Sequence, residues 1–297
     1  MDTEALPARL FEDVDFVDFG SGVGRSLLDA EKRYGARGVG VELRPSKVET
    51  ARANGANVHL GSILDVPRDI EVDFVTIDNV LEHLPDEETV EDVLAVAADI
   101  ARDFIYIRHP CFEDEAYLRS LGLKQYWTDW RGHPSHLLLA DLVAMLRRLG
   151  LGLVEFEFVG EATSSDDPTI LPASAPIDSF EYDEATHGPK TQRAFDRPVH
   201  YAIDLFVPAR RAGNRIALDY AADPRGSRRH PRLSLERGVG VDATAPRASD
   251  LQARVDELEA RRSLQVANAL GRVRRARGVR SRARAAGAVW RAARGAS

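Results

Sequence analysis

Three glycines crowd into five positions of VDFVDFGSGVGR, residues 14–25, directly after a β-branched and aromatic apolar run. Gly20, Gly22 and Gly24 can bring the backbone close to a ligand, because glycine lacks a Cβ and tolerates positive φ. Such turns after strands serve dinucleotides, phosphates, methyl donors or nothing beyond the turn itself. A dinucleotide fingerprint requires a small residue for close helix packing at the position held by Arg25. A nucleoside-triphosphate loop requires a Lys followed by Ser or Thr, and none follows these glycines. Both phosphate chemistries are therefore weakened. Carboxylates flank the loop instead: Asp18 stands just before it, and Glu42 lies 22 residues beyond Gly20. A carboxylate at a strand end can accept hydrogen bonds from two neighbouring hydroxyls.

Histidines supply the second kind of chemistry. His83, in LEHL, and His109 each follow an apolar run. Each can act as a general base near neutral pH or as a structural hydrogen-bonding group. His133 and His136, with Asp129 nearby, are read as solvated residues of a Gly-Pro loop, and no metal is expected. Tyr126, Trp127 and Trp130, beside Asp129 and Arg131, suit stacking on a sugar or other ring, or equally a hydrophobic cover over a sheet.

The elements that must position these groups alternate strand and helix. Residues 15–19, 38–43, 57–63, 72–78 and 104–110 read as strands, and residues 24–35, 45–55 and 85–103 as helices. Pro45 and Gly55 bracket the second helix, and acidic residues crowd the first turns of the third, complementing its dipole. A helix over 137–150 and strands over 153–160 and 200–208 follow. Residues 161–199, rich in Pro, Ser and Asp, read as a loop or insertion. Strands separated by such helices imply an α/β protein with a mostly parallel sheet and helices on both faces.

In order and spacing, these features resemble class I S-adenosylmethionine-dependent methyltransferases. Asp18 and the G-x-G-x-G of residues 20–24 match the first motif, and Glu42 the acidic end of the second strand. GSILDVP, residues 61–67, is similar to the adenine-edge segment, with Ser62 where an Asp is common. DFVTIDNVLEHLPD, residues 73–86, matches the fourth motif. The resemblance covers roughly residues 14–207. It implies a Rossmann-like, seven-stranded fold and S-adenosyl-L-methionine as cofactor. Cofactor binding falls to Asp18, Gly20, Ser21, Gly22, Gly24, Glu42, Leu43, Ser62, Ile63, Asp78 and Asn79, with His83 and His109 as catalytic candidates. The family's turn before strand five is replaced by ARD, residues 101–103.

The 297 residues carry a net charge of -7, 44% hydrophobic residues and a single cysteine, Cys111. This is the composition of a soluble globular chain with no disulfide, no cysteine-cluster metal site and no membrane span, and it points to the cytoplasm. Eleven arginines and no acidic residue lie between Arg261 and Ser297, so the rest of the chain is strongly acidic and does not suit a nucleic-acid partner. The expected organisation is a methyltransferase domain over 1–207, with 161–199 as substrate cover, a linker over 208–248 and a helical, arginine-rich tail over 249–297. Few residues precede the first strand, so the cover is expected from 111–135 and 161–199 rather than from an N-terminal lid.

The tail resembles C-terminal extensions of bacterial cell-envelope glycan enzymes. It suits an anionic membrane surface at the inner face, a glycan-assembly protein, or a disordered basic segment. The expected acceptor is a sugar hydroxyl of a cell-surface polysaccharide or precursor. Small-molecule O- or N-methylation, or a non-catalytic donor-binding scaffold, are the alternatives.

Overall fold

Alternate residues of the central strands feed two different cores, and that alternation builds a three-layer α/β domain. The computed structural model describes residues 6–152, 154–209 and 233–234. In chain order the first half comprises β1 (Phe16–Phe19), α1 (Arg25–Tyr34), β2 (Gly38–Glu42), α2 (Pro45–Ala53), β3 (Val58–Leu60), β4 (Val72–Asp78), α3 (Glu87–Ile100) and β5 (Ala101–Pro110). There follow α4 (Glu115–Ser120), β6 (Leu123–Gln125), α5 (Leu139–Arg148), β7 (Glu155–Ser164), β8 (Ile170–Pro172), α6 (Glu184–His187), β9 (Ala194–Pro208) and the two-residue β10 (Leu233–Ser234).

The main sheet has the order β10-β7-β9-β5-β4-β1-β2-β3. Strands β3, β2, β1, β4 and β5 run parallel, and β9 inserts antiparallel between β5 and β7. This is the expected seven-stranded, mostly parallel, Rossmann-like architecture, extended at one edge by β10. On one face Val17, Phe19, Val75, Ile77, Ile105 and Ile107 pack with Val90, Leu94 and Ala97 of α3 and Leu142 and Leu146 of α5. On the other, Phe16, Phe74 and Phe104 pack with Leu27 and Ala30 of α1 and Val48 and Ala51 of α2. Phe16, Phe74 and Phe104 share one register row and stack at centroid separations of 4.7 and 4.8 Å. Such cross-strand pairs pin the register, since a one-residue slip would exchange the two cores.

Caps set the helix ends. Asp86 accepts from the Thr89 amide at 2.9 Å at the start of α3, and Gly35 closes α1 in the left-handed region.

Several boundaries differ from the sequence reading, and β3 spans only Val58–Leu60 of the expected 57–63 because Ile63 opens a short helical turn. Helix α3 stops at Ile100 and β5 starts at Ala101, so the ARD segment is strand, with Arg102 paired to Asp73. Strands β7 and β9 run on past the sheet core, Ala162 facing Val199, so the two ends of 161–199, residues 161–164 and 194–199, form a two-stranded arm rather than loop. The arm carries a register irregularity between Ala162 and Ser164, in the stretch facing Pro198, which has no amide to give to a ladder. Leu233–Ser234 pairs with Glu155–Phe156, placing a strand inside the expected linker. The rest of 210–297, including the expected helical tail, lies outside the described residues. Among the described residues, no helix is long and apolar enough to cross a membrane.

Candidate functional site

The glycine turn lies at the carboxyl ends of the parallel strands, where open α/β sheets bind ligands. All three glycines adopt positive φ, 66° for Gly20, 57° for Gly22 and 77° for Gly24, yet they do different jobs. A Cβ on Gly20 would stand 2.6 Å from Val80 Cγ2, and one on Gly24 would overlap the Cβ of Ala56. Gly24 therefore performs the close helix packing that a dinucleotide fingerprint assigns to the position of Arg25. Gly22 has no atom within 4 Å of its missing Cβ, and it lines the floor of a cleft.

That cleft has a volume of about 430 Å³. Its walls include Asp18, Gly20, Ser21, Gly22, Ser26 and Lys47, with Asp78, Asn79 and Tyr106 opposite. Asp18, Thr76 and Tyr106 occupy one row across β1, β4 and β5, so strand register alone brings them together. The Asp18 carboxylate accepts from Thr76 Oγ1 at 2.6 Å and from the hydroxyl of Ser26 in the first turn of α1. Burial pushes Asp18 up from its ordinary value of 3.8 to about 7. The two hydroxyl bonds oppose that rise, and the charges of Asp78 and Glu42 add to it.

Glu42 is buried at the end of β2 and braces the loop. The Gly22 amide donates to Oε2 at 3.0 Å, and the Arg44 amide to Oε1 at 2.9 Å. Each carboxylate oxygen keeps a further lone pair for a ligand hydroxyl. Lys47 Nζ stands 4.0 Å from Oε2.

The remaining sequence-derived positions divide. Asp78 and Asn79 line the cleft, with Asn79 held at φ 54°, its amide donating to the Arg108 carbonyl and its side chain to Asp78 at 3.1 Å. Ser21 is also at the cleft, but its hydroxyl lies against Gly40. Ser62 accepts from the Leu64 amide at 3.2 Å, capping the short turn Ile63–Asp65, and Ile63 is buried. Leu43 is 49% exposed, and Leu64, which the sequence reading passed over, is 43% exposed. Both follow adjacent strands, β2 and β3, at the same sheet edge. Ser26, Lys47 and Tyr106 were likewise missed. Their one signal is register or helix spacing relative to Asp18, which is visible only once β1, β4 and β5 are aligned.

The histidines do not stand as expected. His109 is fully buried, with Nδ1 3.6 Å from Glu82 Oε2, so it cannot meet an acceptor directly in this arrangement; it backs Glu82 instead. His83 is exposed on the short turn Leu81–His83, and its Nδ1 sits 2.6 Å from the Gly132 carbonyl. That contact makes Nδ1 the donor and leaves the lone pair on Nε2. His133 is not the solvated loop residue expected: it is buried, packs at a ring separation of 4.9 Å from His83, and burial lowers its pKa.

Asp129, His133 and His136 part company. Asp129 pairs with Lys124 at 2.7 Å and with Arg119; these bonds outweigh its burial and hold it below the usual carboxylate range. His136 lies 3.1 Å from Glu115 and stacks on Phe112. Beside His83 rises an aromatic wall, Trp130 at 6.1 Å from its ring, Phe180 at 5.3 Å from Trp130, and Tyr126 at 5.8 Å from Phe180. Arg131 and Asp178 tie the two segments carrying that wall, the Arg131 amide donating to Asp178 at 2.8 Å.

The glycine turn and the strands around it fall within the part of the chain that is similar to known proteins. Residues 17–102 match the family model described as a methyltransferase domain. No curated protein matches the chain. Among solved structures, a SAM-dependent methyltransferase from Archaeoglobus fulgidus is 20% identical, over 67% of this chain and 88% of that one, with a TM-score of 0.47. A SAM-dependent methyltransferase from Thermotoga maritima is 15% identical over 68% and 83%, with a TM-score of 0.41. Magnesium protoporphyrin IX methyltransferase from Synechocystis, crystallised with bound SAH, is 16% identical over 65% and 74%, with a TM-score of 0.39.

Proposed function

We propose that the chain is a class I methyltransferase that transfers the methyl group of S-adenosylmethionine to a hydroxyl of a sugar acceptor. The observation that carries the donor assignment is Glu42, buried at the end of β2, anchored by the Gly22 and Arg44 amides and able to accept from two more hydroxyls. The ribose of the donor offers that hydroxyl pair. Leu43 and Leu64 supply apolar surface for its purine, and the Gly22 floor leaves room for its methionine arm. The donor brings an electrophilic methyl on a sulfonium. The protein holds that methyl in line with the acceptor oxygen. As the oxygen–carbon bond forms, the carbon–sulfur bond breaks with its electron pair left on sulfur, and the acceptor's O–H proton passes to water.

The sugar class is supported by the wall of Trp130, Phe180 and Tyr126 beside His83, with Arg131 and Asp178 at its edge. Flat aromatic faces edged by charged groups suit a ring that is apolar on its faces and polar on its rim. Segments 111–135 and 165–193, which carry the wall, form the acceptor cover. The same reading makes the arginine-rich segment 249–297 a contact for an anionic membrane surface at the inner face, where envelope glycans are assembled.

Incubating the protein with methyl-labelled S-adenosylmethionine tests the acceptor class. Purified cell-envelope polysaccharide and sugar nucleotides are compared with a panel of small phenols and amines. Label in the glycan fraction, reduced by Trp130→Ala, is the expected result. Label confined to phenols or amines overturns the sugar assignment, and donor binding without transfer to any fraction overturns the enzyme reading.

A further inference from the structure

Behind the aromatic wall lies a group of side chains that the donor site does not use. Glu82, His83 and His133 each present one ligand-capable atom, all within 4.8 Å of one another. Glu82 is 1% exposed, and its Oε2 makes no hydrogen bond. His109 is 0% exposed and neither of its ring nitrogens has a hydrogen-bond partner. The Glu82 oxygen faces His109 Nδ1 only at 3.6 Å, beyond hydrogen-bond reach, and a buried carboxylate oxygen left without a hydrogen bond is costly.

The two ligand-capable histidines are held in the manner of metal ligands. His83 Nδ1 meets the Gly132 carbonyl at 2.6 Å, and His133 Nδ1 meets the Trp127 carbonyl at 3.1 Å. In both rings a backbone carbonyl fixes the tautomer and leaves Nε2 as the ligating nitrogen, the usual outer support of metal-bound imidazole. The loop and the turn are locked together as well. The Ser135 amide donates to the Glu82 carbonyl at 3.3 Å, and the Ser135 hydroxyl to the Leu84 carbonyl at 2.7 Å. His109 Nδ1, 3.6 Å from Glu82 Oε2, stands as the orienting group behind the carboxylate.

We infer that Glu82, His83 and His133 form a binding site for a divalent first-row transition-metal ion. Two imidazoles and one carboxylate make a borderline donor set, which suits zinc or manganese better than magnesium. Three protein ligands leave coordination positions open, and exposed His83 lies beside Trp130 of the aromatic wall, at a ring separation of 6.1 Å. Whether the ion binds does not depend on the methyltransfer reading; its role rests on it. In that role the ion holds the acceptor hydroxyl and raises its acidity, so that the O–H bond breaks with its proton passing to water as the oxygen takes the methyl. His83 is then a metal ligand rather than the free base.

Full-length protein stripped with a chelator and titrated with Zn²⁺ or Mn²⁺ by calorimetry provides the test, with Mg²⁺ as the hard-ion control. One ion per chain is expected. Glu82→Gln and His83→Ala should each weaken binding at least about tenfold, whereas His136→Ala, at a histidine engaged with Glu115 and Phe112, should leave it unchanged. Because Glu82 is buried, Mn²⁺ electron paramagnetic resonance of the exposed-site variant His83→Ala provides a second reading that does not depend on Glu82→Gln folding well. Absence of stoichiometric binding, or equal affinity in wild type, Glu82→Gln and His83→Ala, overturns the site. Titration of the same samples with S-adenosylmethionine reports separately on the donor cleft, so failure of one assignment is distinguishable from failure of the other.

Discussion

At the scale of single residues, two carboxylates divide the work around the glycine turn. Glu42 braces the glycine turn through the Gly22 amide and keeps lone pairs for a ligand. Glu42→Ala is expected to lower S-adenosylmethionine affinity by at least about tenfold, the loss of more than 1.4 kcal/mol that follows from removing a buried acceptor of two hydroxyls. Calorimetry checks this, and equal affinity in wild type and variant would falsify the ribose assignment. Asp18 is instead a proton store, because burial lifts it from 3.8 to about 7. Between those values the folded chain keeps a proton that the unfolded chain has lost. The carboxyl's contribution to stability is thus fully present below about pH 4 and declines by about 4 kcal/mol as pH rises to about 7. Urea unfolding of the ligand-free protein across that range should show this decline relative to Asp18→Asn, which has no proton to lose. Parallel profiles would show that the carboxyl ionises in the folded protein much as it does in the unfolded chain.

At the scale of elements, the turn between β1 and α1 decides both packing and access. Gly24 is pressed against Ala56 and Ala51 at the end of α2, whereas Gly22 faces open space. Gly24→Ala is expected to cost about 3 kcal/mol, joining left-handed strain to overpacking, and Gly22→Ala about 1 kcal/mol from strain alone. Equilibrium denaturation separates them, and equal losses would mean that α2 moves aside. How well each element could be read follows the same packing logic. The parallel strands were legible because both of their faces are buried, so Val, Phe and Ile run almost without a break from Phe16 to Phe19 and from Val72 to Ile77. The arm of β7 and β9 was not, because beyond the sheet its residues are only partly covered and the alternation dissolves into GEATS and AFDRPVH. Glycine spacing in the sequence pointed to a close-approach loop, and Gly20 and Gly22 line a cleft at the sheet edge. The Glu82, His83 and His133 group left no such mark, since His133 reaches the turn after β4 only through a loop whose path no periodicity encodes.

At the scale of the whole molecule, charge is the organising quantity. The chain is acidic overall, yet from Arg261 to Ser297 it carries eleven arginines, one tryptophan and no carboxylate. Each basic group near an anionic bilayer contributes about 1 kcal/mol, an attraction that salt screens within a Debye length. The acidic body is repelled by the same surface, so the tail must outweigh it, and the sum favours binding only if several arginines engage together. The full chain is therefore expected to co-sediment with vesicles containing phosphatidylglycerol at low salt, to release them at high salt, and to ignore vesicles of phosphatidylcholine alone. A chain ending at residue 248 retains Leu233–Ser234, the strand that pairs with β7, so the sheet edge survives the truncation. That shorter chain should stay in the supernatant while its S-adenosylmethionine affinity is unchanged. Equal sedimentation of the two chains would remove the tail from any membrane role, and salt-independent sedimentation of the full chain would assign the attachment to apolar groups such as Val289 and Trp290 rather than to charge.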